Sequence, residues 1–318
     1  MNTRMKLVVK VATLLCGLAL SAPGTASAAA GISLDAAKLP PQTRTELRAS
    51  IDKARALDPA AFHDVREVFA KARELDSHAR GRKAPISLRL AQLGTKALLP
   101  MLELVAFDAP ALAPISRAET AADRASVSRD LVEAIGLLRD PRARPVLVAV
   151  LAREGDFATT RTSAEAVARM DDDEAANALV ASLGKATGER ATAILAGMGS
   201  CHRAVIARTL ADRLAARPDD AAARHVMKSL GHVGSAWAWK TLADRHDEAA
   251  SRETAARALV SAYVQYTGEV RDAAAKALLV VDDAHTVALI EAARRGAPAD
   301  TAVALDELAR RFAQNPTR

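Results

Sequence analysis

The chain has 318 residues, half of them hydrophobic but only 3% aromatic, and its 44 basic and 38 acidic side chains leave a formal net charge of +6. That length allows one large domain or two small ones, and a core drawn from Ala, Leu and Val favours many short, closely stacked helices over one thick aromatic core. Three of the basic residues, Arg4, Lys6 and Lys10, lie in residues 1–28, which hold no acid, so 41 basic residues face 38 acidic ones in the remainder. With those charges interleaved along the chain, the balance speaks against a nucleic-acid partner.

The first element is a leader. Arg4, Lys6 and Lys10 give a basic start, Val11 to Leu20 form a short apolar run, and Ala26-Ser27-Ala28 makes an A-x-A cleavage pattern. This is the layout of a cleaved secretory signal peptide, with cleavage near Ala28 and a periplasmic or secreted product. The run is too short to span a bilayer comfortably. Leu14-Leu15-Cys16-Gly17 departs from a lipobox, because Leu15 is not small and the apolar run continues past Cys16. Loss of Cys16 leaves Cys201 alone, so the mature chain has no internal disulfide. No later segment reads as transmembrane, since Pro100 and Glu103 interrupt the longest apolar stretch, Ala97 to Phe107.

Residues 29–45 read as a flexible lead-in and 46–83 as an N-terminal helical region. Leu47, Ile51 and Ala54 mark one helix face, and Asp58-Pro59 reads as an N-cap with proline at the first helical position. Phe62, Val65, Phe69 and Ala72 follow at helical spacing, before a polar connection from Ser77 to Lys83. From residue 84 to 313 the chain falls into helix pairs, and 314–318 form a tail. A first helix ends in an apolar residue before Gly or Asp, and a second helix starts a few residues later.

The turn residues are Gly94, Asp140, Asp172, Gly199, Gly234 and Asp282. Seven positions beyond them come Met101, Leu147, Leu179, Ile206, Thr241 (beside Leu242) and Leu289. The unit is roughly thirty residues, shorter than the ~40–47 usual for such arrays. The longer intervals carry an insertion with Pro110 and Pro114 between Phe107 and Ala125, and an additional helix from Ser251 to Tyr266. No stretch of the mature chain alternates like a strand, so the expected fold is all-α, an α-α superhelix behind a signal peptide.

The segment from Asp130 to Leu151 resembles a bacterial HEAT-like repeat of the kind also found in phycobilisome bilin lyases. The features that carry it are Leu138 closing the first helix, Asp140-Pro141-Arg142-Ala143 at the turn, and Leu147 and Leu151 in the second helix. Leu90 to Ala97 is similar, and the likeness extends over about residues 84–295, fading after 200. The resemblance implies a right-handed superhelix whose second helices line the inner face and bind other proteins. It does not imply lyase activity, because a fold does not fix a function.

No residue set reads as catalytic, metal-binding or cofactor-binding. The seven histidines, His63, His78, His202, His225, His232, His246 and His285, include no H-E-x-x-H pair. His225 and His232 share a helix face, but two turns separate them, too far for one metal without another helix. They read as solvated or capping histidines near helix ends. Asp171-Asp172-Asp173-Glu174 lacks the spacing and glycine of a calcium loop and reads as acids at a helix start. Cys201 and His202 point about 100° apart on a helix, so they make no nucleophile–base pair, and Cys201 reads as a half-buried thiol near a turn.

The binding candidates are aromatic. Trp237 falls three positions past Gly234, where Ala97, Ala143 and Ala175 sit after their own turns, and reads as buried. Trp239, about 200° away on the same helix, is then left to anchor a partner or to pack against a neighbouring repeat or the Tyr263/Tyr266 helix. The expected function is a non-enzymatic exported scaffold that binds a protein or peptide. The alternatives are an accessory or lyase-like chaperone acting on a protein substrate, and a nucleic-acid-binding HEAT-like protein, which the charge disfavours.

Overall fold

The computed structural model describes residues 38–78, 86–107 and 121–315, with the side chains of 72–78 and 121–124 outside that description. The leader with Cys16 and Ala28, most of the lead-in, the 79–85 connection, most of the Pro110/Pro114 insertion and the last three residues lie outside the described residues. Every regular element among the described residues is helical. None of those helices is long and apolar enough to cross a membrane.

The described residues open on a hairpin, α1 (Pro41–Leu57) and α2 (Pro59–His78). Asp58 accepts a hydrogen bond from the Ala61 amide at 3.1 Å, so it caps α2 as its sequence predicts. Phe62, Val65 and Phe69 form the buried stripe of α2. α1 packs on α4 (Leu98–Ala106), and α2 packs on the 3-10 turn Thr95–Ala97 that leads into α4. Glu103 of α4, only 6% exposed, receives Arg55 from α1, with Arg48 of α1 at 3.7 Å. The two guanidiniums also lie over aromatic rings, Arg48 on Phe107 and Arg55 on Phe62. A buried carboxylate without such partners would cost several kcal/mol.

The remaining helices are α3 (Ser87–Gln92), α5 (Ala121–Leu137), α6 (Arg144–Leu151), α7 (Phe157–Ala168), α8 (Asp173–Gly184), α9 (Gly188–Gly197), α10 (Ala204–Ala215), α11 (Asp220–Val233), α12 (Ala236–Thr241), α13 (Glu248–Gln265), α14 (Gly268–Val281), α15 (Thr286–Arg295) and α16 (Ala299–Ala313). Their contacts form two rows. In the first, α3, α5, α7, α9, α11 and α14 each pack on the next; in the second, α4, α6, α8, α10, α13 and α15 do the same. α16 closes the end by packing on α15.

The first row depends on small residues. A Cβ built on Gly136 of α5 would come within 2.7 Å of the Ala166 backbone, and one on Gly197 of α9 within 2.6 Å of the Arg161 carbonyl. Both helices therefore approach α7 more closely than any side chain permits. Non-glycine residues in the left-handed conformation end four helices: Arg139, Asp171, Arg217 and Asp282. The chain thus turns sharply after α5, α7, α10 and α14 without the glycine usual at such sites.

The sequence register holds best early. Ala97, Ala143 and Ala175 are fully buried, as are Met101, Leu147, Leu179 and Ile206. Leu289 is half-buried and Thr241 is exposed. The additional helix expected at Ser251–Tyr266 is α13, and it is no addition, since it fills the second-row place between α10 and α15. The odd element is α12, a six-residue turn of helix beside α14. It stops where Leu242 turns extended.

Candidate functional site

α11 presents His225, Lys228 and His232 at i, i+3 and i+7, the spacing of one helical face. Its opposite face is apolar, with Val226, Met227, Leu230 and Val233 fully buried, so core packing fixes the direction of the polar face. Gly199, in the 3-10 turn that ends α9, lets that turn lie against α11, because a Cβ there would sit 3.1 Å from His232 Cβ. Ser229 fastens the same contact by donating to the Leu195 carbonyl at 2.8 Å.

On the other side, Gly197 brings α9 against α7, whose Arg161 and Glu165 face the same space. The result is a cleft of about 140 Å³ between α7, the end of α9 and α11, lined by Arg161, Glu165, Ser200, His225, Lys228 and His232.

The charges in the cleft are unequally satisfied. Glu165 accepts from Arg169 at 2.7 Å, and Arg169 also lies 3.8 Å from Glu133. Arg161 reaches Glu165 only at 4.0 Å. Among the described residues Lys228 makes no ion pair, and the side chains of His225, His232 and Ser200 make no hydrogen bond. His225 lies against the Phe157 ring, with centroids 5.1 Å apart. Burial first, then Arg161, Lys228 and Arg224, hold His225 below the usual imidazole range. Burial and Lys228 do the same for His232, against an opposing pull from Glu165. Both rings are therefore neutral near pH 7 and can donate or accept.

The aromatic candidates sit elsewhere, and only Trp237 departs from its expected burial, since packing is one of the two readings open to Trp239. Trp239 is fully buried and Trp237 is 75% exposed. Trp239 Nε1 donates to the Val233 carbonyl at 2.8 Å, and its ring meets His202 edge-on at 5.5 Å. His202 occupies the position three past Gly199 where earlier turns have alanine, and the large Trp239 ring covers it. Tyr263 is buried and donates to the Ala304 carbonyl at 2.9 Å. Tyr266 donates to the Pro218 carbonyl at 3.0 Å. Both tyrosines tie elements together, so the four aromatics do not form one exposed patch.

Asp171 accepts from the His202 backbone at 2.5 Å and contacts its Nδ1 at 3.0 Å. Asp172 caps α8 by accepting from the Ala175 amide at 2.8 Å. Arg144 pairs with Asp172 and Glu174, and Arg203 pairs with Asp173 at 3.1 Å. The acidic run is thus a helix start tied to its neighbours by arginines.

Cys201 is fully buried, more than its turn position implies, and burial pushes its thiol far above the usual range. Burial favours the protonated thiol. His246 and His285 bind the nearby Asp244 and Asp283. His63 is exposed, and the side chain of His78 lies outside the described residues.

Of the cleft residues, only His225 and His232 stand out in the sequence as candidates; Arg161, Glu165, Lys228 and Ser200 do not. Lys228 was legible as the middle of an H-x-x-K-x-x-x-H face. Arg161 was not, because only the close approach at Gly197 brings α7 to the cleft.

No protein-family model matches the chain, and no curated protein matches it.

Proposed function

We propose that this chain is an exported helical-repeat scaffold that binds a protein or peptide partner. On this reading the two helix rows form an α-solenoid, and residues 1–28 direct export. The observation that carries the proposal is the regular order of the rows, each helix packing chiefly on its neighbours. Such a stack offers a long surface whose outward residues are free to vary, which is how solenoids serve as binding platforms. The resemblance of residues 130–151 to HEAT-like repeats supports the same reading.

The exposed Trp237 supplies an aromatic anchor of the type enriched where partners dock, a role that the burial of Trp239 excludes for the other tryptophan.

The test is site-specific photocrosslinking in envelope extract. A crosslinking residue replaces Trp237 in one variant, Val180 on the second row in another and Lys228 on the first row in a third. The proposal predicts a discrete adduct from one of these positions, identical between preparations. Absence of any discrete adduct from all three contradicts it.

A further inference from the structure

We propose that the cleft between α7, the end of α9 and α11 is a binding site for a single oxyanion, a phosphate or a carboxylate group. The polar groups around it converge from three elements. Arg161 comes from α7, Ser200 from the 3-10 turn after α9, and His225, Lys228 and His232 from α11. Two exposed cations, Arg161 and Lys228, border one open cleft of about 140 Å³ together with two imidazoles and a hydroxyl. That space admits a phosphate or a carboxylate group.

The donors are unspent. Lys228 has no ion pair, and Ser200, His225 and His232 have no side-chain hydrogen bond among the described residues. The one acid in the cleft, Glu165, is held by Arg169 at 2.7 Å and lies 4.0 Å from Arg161, at the outer limit of an ion pair. The helices that carry the donors are held close, because a Cβ on Gly197 or Gly199 would crowd α7 or α11. Charge-assisted hydrogen bonds of this kind are the strong ones.

Burial first, and then the neighbouring cations, lower the proton affinity of both histidines. An anion in the cleft opposes the second of these effects. His225 faces Arg161, Arg224 and Lys228, while His232 faces Lys228, Glu165 and His202. An added negative charge favours the imidazolium form of each, so binding tightens as pH falls through the histidine range.

The inference rests on this geometry and not on the scaffold reading. Anion binding with no captured partner supports the cleft and leaves the scaffold unsupported; a captured partner with an inert cleft does the opposite.

The experiment follows the His225 and His232 ring signals by NMR in the full mature chain. The probes are inorganic phosphate, a Glu-rich peptide and the matching Gln-rich peptide. Saturable shifts of both rings with phosphate alone point to a free or covalently carried phosphate, and shifts with the Glu peptide but not the Gln peptide point to a partner's carboxylate. Either result supports the proposal. Lys228→Gln and Arg161→Gln, both at solvent-accessible side chains, are each expected to weaken binding about tenfold or more, with the circular dichroism unchanged. Absence of a saturable shift with phosphate or Glu peptide up to about 20 mM, or unchanged affinity in both variants, overturns it.

Discussion

The turn between α7 and α8 and the turn between α9 and α10 occupy equivalent places in the stack and are closed by different means. The first is local. Asp172 caps α8 from within the turn, and the buried residue three positions on is Ala175. The second is closed from a distance. No side chain of its own caps α10, and the Ala204 amide instead donates to Asp247 at 2.9 Å, 43 residues away. Its counterpart of Ala175 is His202, held between Asp171 and Trp239. A helix pair with a local cap keeps the register its sequence implies. A pair completed by distant residues takes its register from packing.

The sharpest way to break that contrast is at the tryptophans. Trp239→Ala removes a fully buried side chain and its hydrogen bond to Val233, and the expected loss is about 3–5 kcal/mol. Trp237→Ala, at an exposed site, is expected to stay within about 0.5 kcal/mol. Urea denaturation of the two variants decides it, and equal losses would undo the burial assigned to them.

Next comes the approach of the first-row helices. Gly197→Ala places a methyl group 2.6 Å from the Arg161 carbonyl, with an expected cost of about 1–3 kcal/mol. The same variant pushes α9 off α7, so the environment of His225 changes as well. A shifted His225 ring signal alongside a lowered thermal midpoint would verify both effects.

The local turn gives a smaller effect. Asp172→Ala is expected to cost about 1 kcal/mol through the lost cap. Asp172→Asn, which retains the cap and loses the charge facing Arg144, separates the two contributions. Equal losses for Asn and Ala would mean that the ion pair, not the cap, closes this turn.

The smallest effect is in pH. The folded chain holds His225 and His232 below their ordinary value of 6.5, so on acidification the unfolded chain takes up these protons first. Stability is therefore full above that value and declines as pH falls through it toward the folded-state values. The wild type is expected to lose more stability between about pH 7.5 and pH 5.5 than the His225→Gln/His232→Gln double variant. Equal losses in urea titrations would show that the cleft leaves these rings unperturbed.

Much of the all-helical architecture is legible in the sequence because the signals are local. Asp58-Pro59, Asp140-Pro141 and the Asp172 cap all stand where the sequence puts them, and the apolar residues seven positions past the first four turns are buried. The places that departed from expectation depend on contacts across the stack. Nothing near Trp237 in sequence reveals that Trp239 packs on His202, and nothing in the α13 sequence reveals that it fills the second row. The cleft was half legible for the same reason. The face of α11 can be read from spacing, whereas Arg161 joins it only through the glycine contacts of α9.

Small-angle X-ray scattering of the chain from Ala29 onward tests the central claim of a two-row solenoid most directly. A compact domain of that length has a radius of gyration of about 19 Å. The solenoid predicts a value well above that, with a pair-distance distribution skewed to long separations. A symmetric distribution with a radius near the compact value would contradict it.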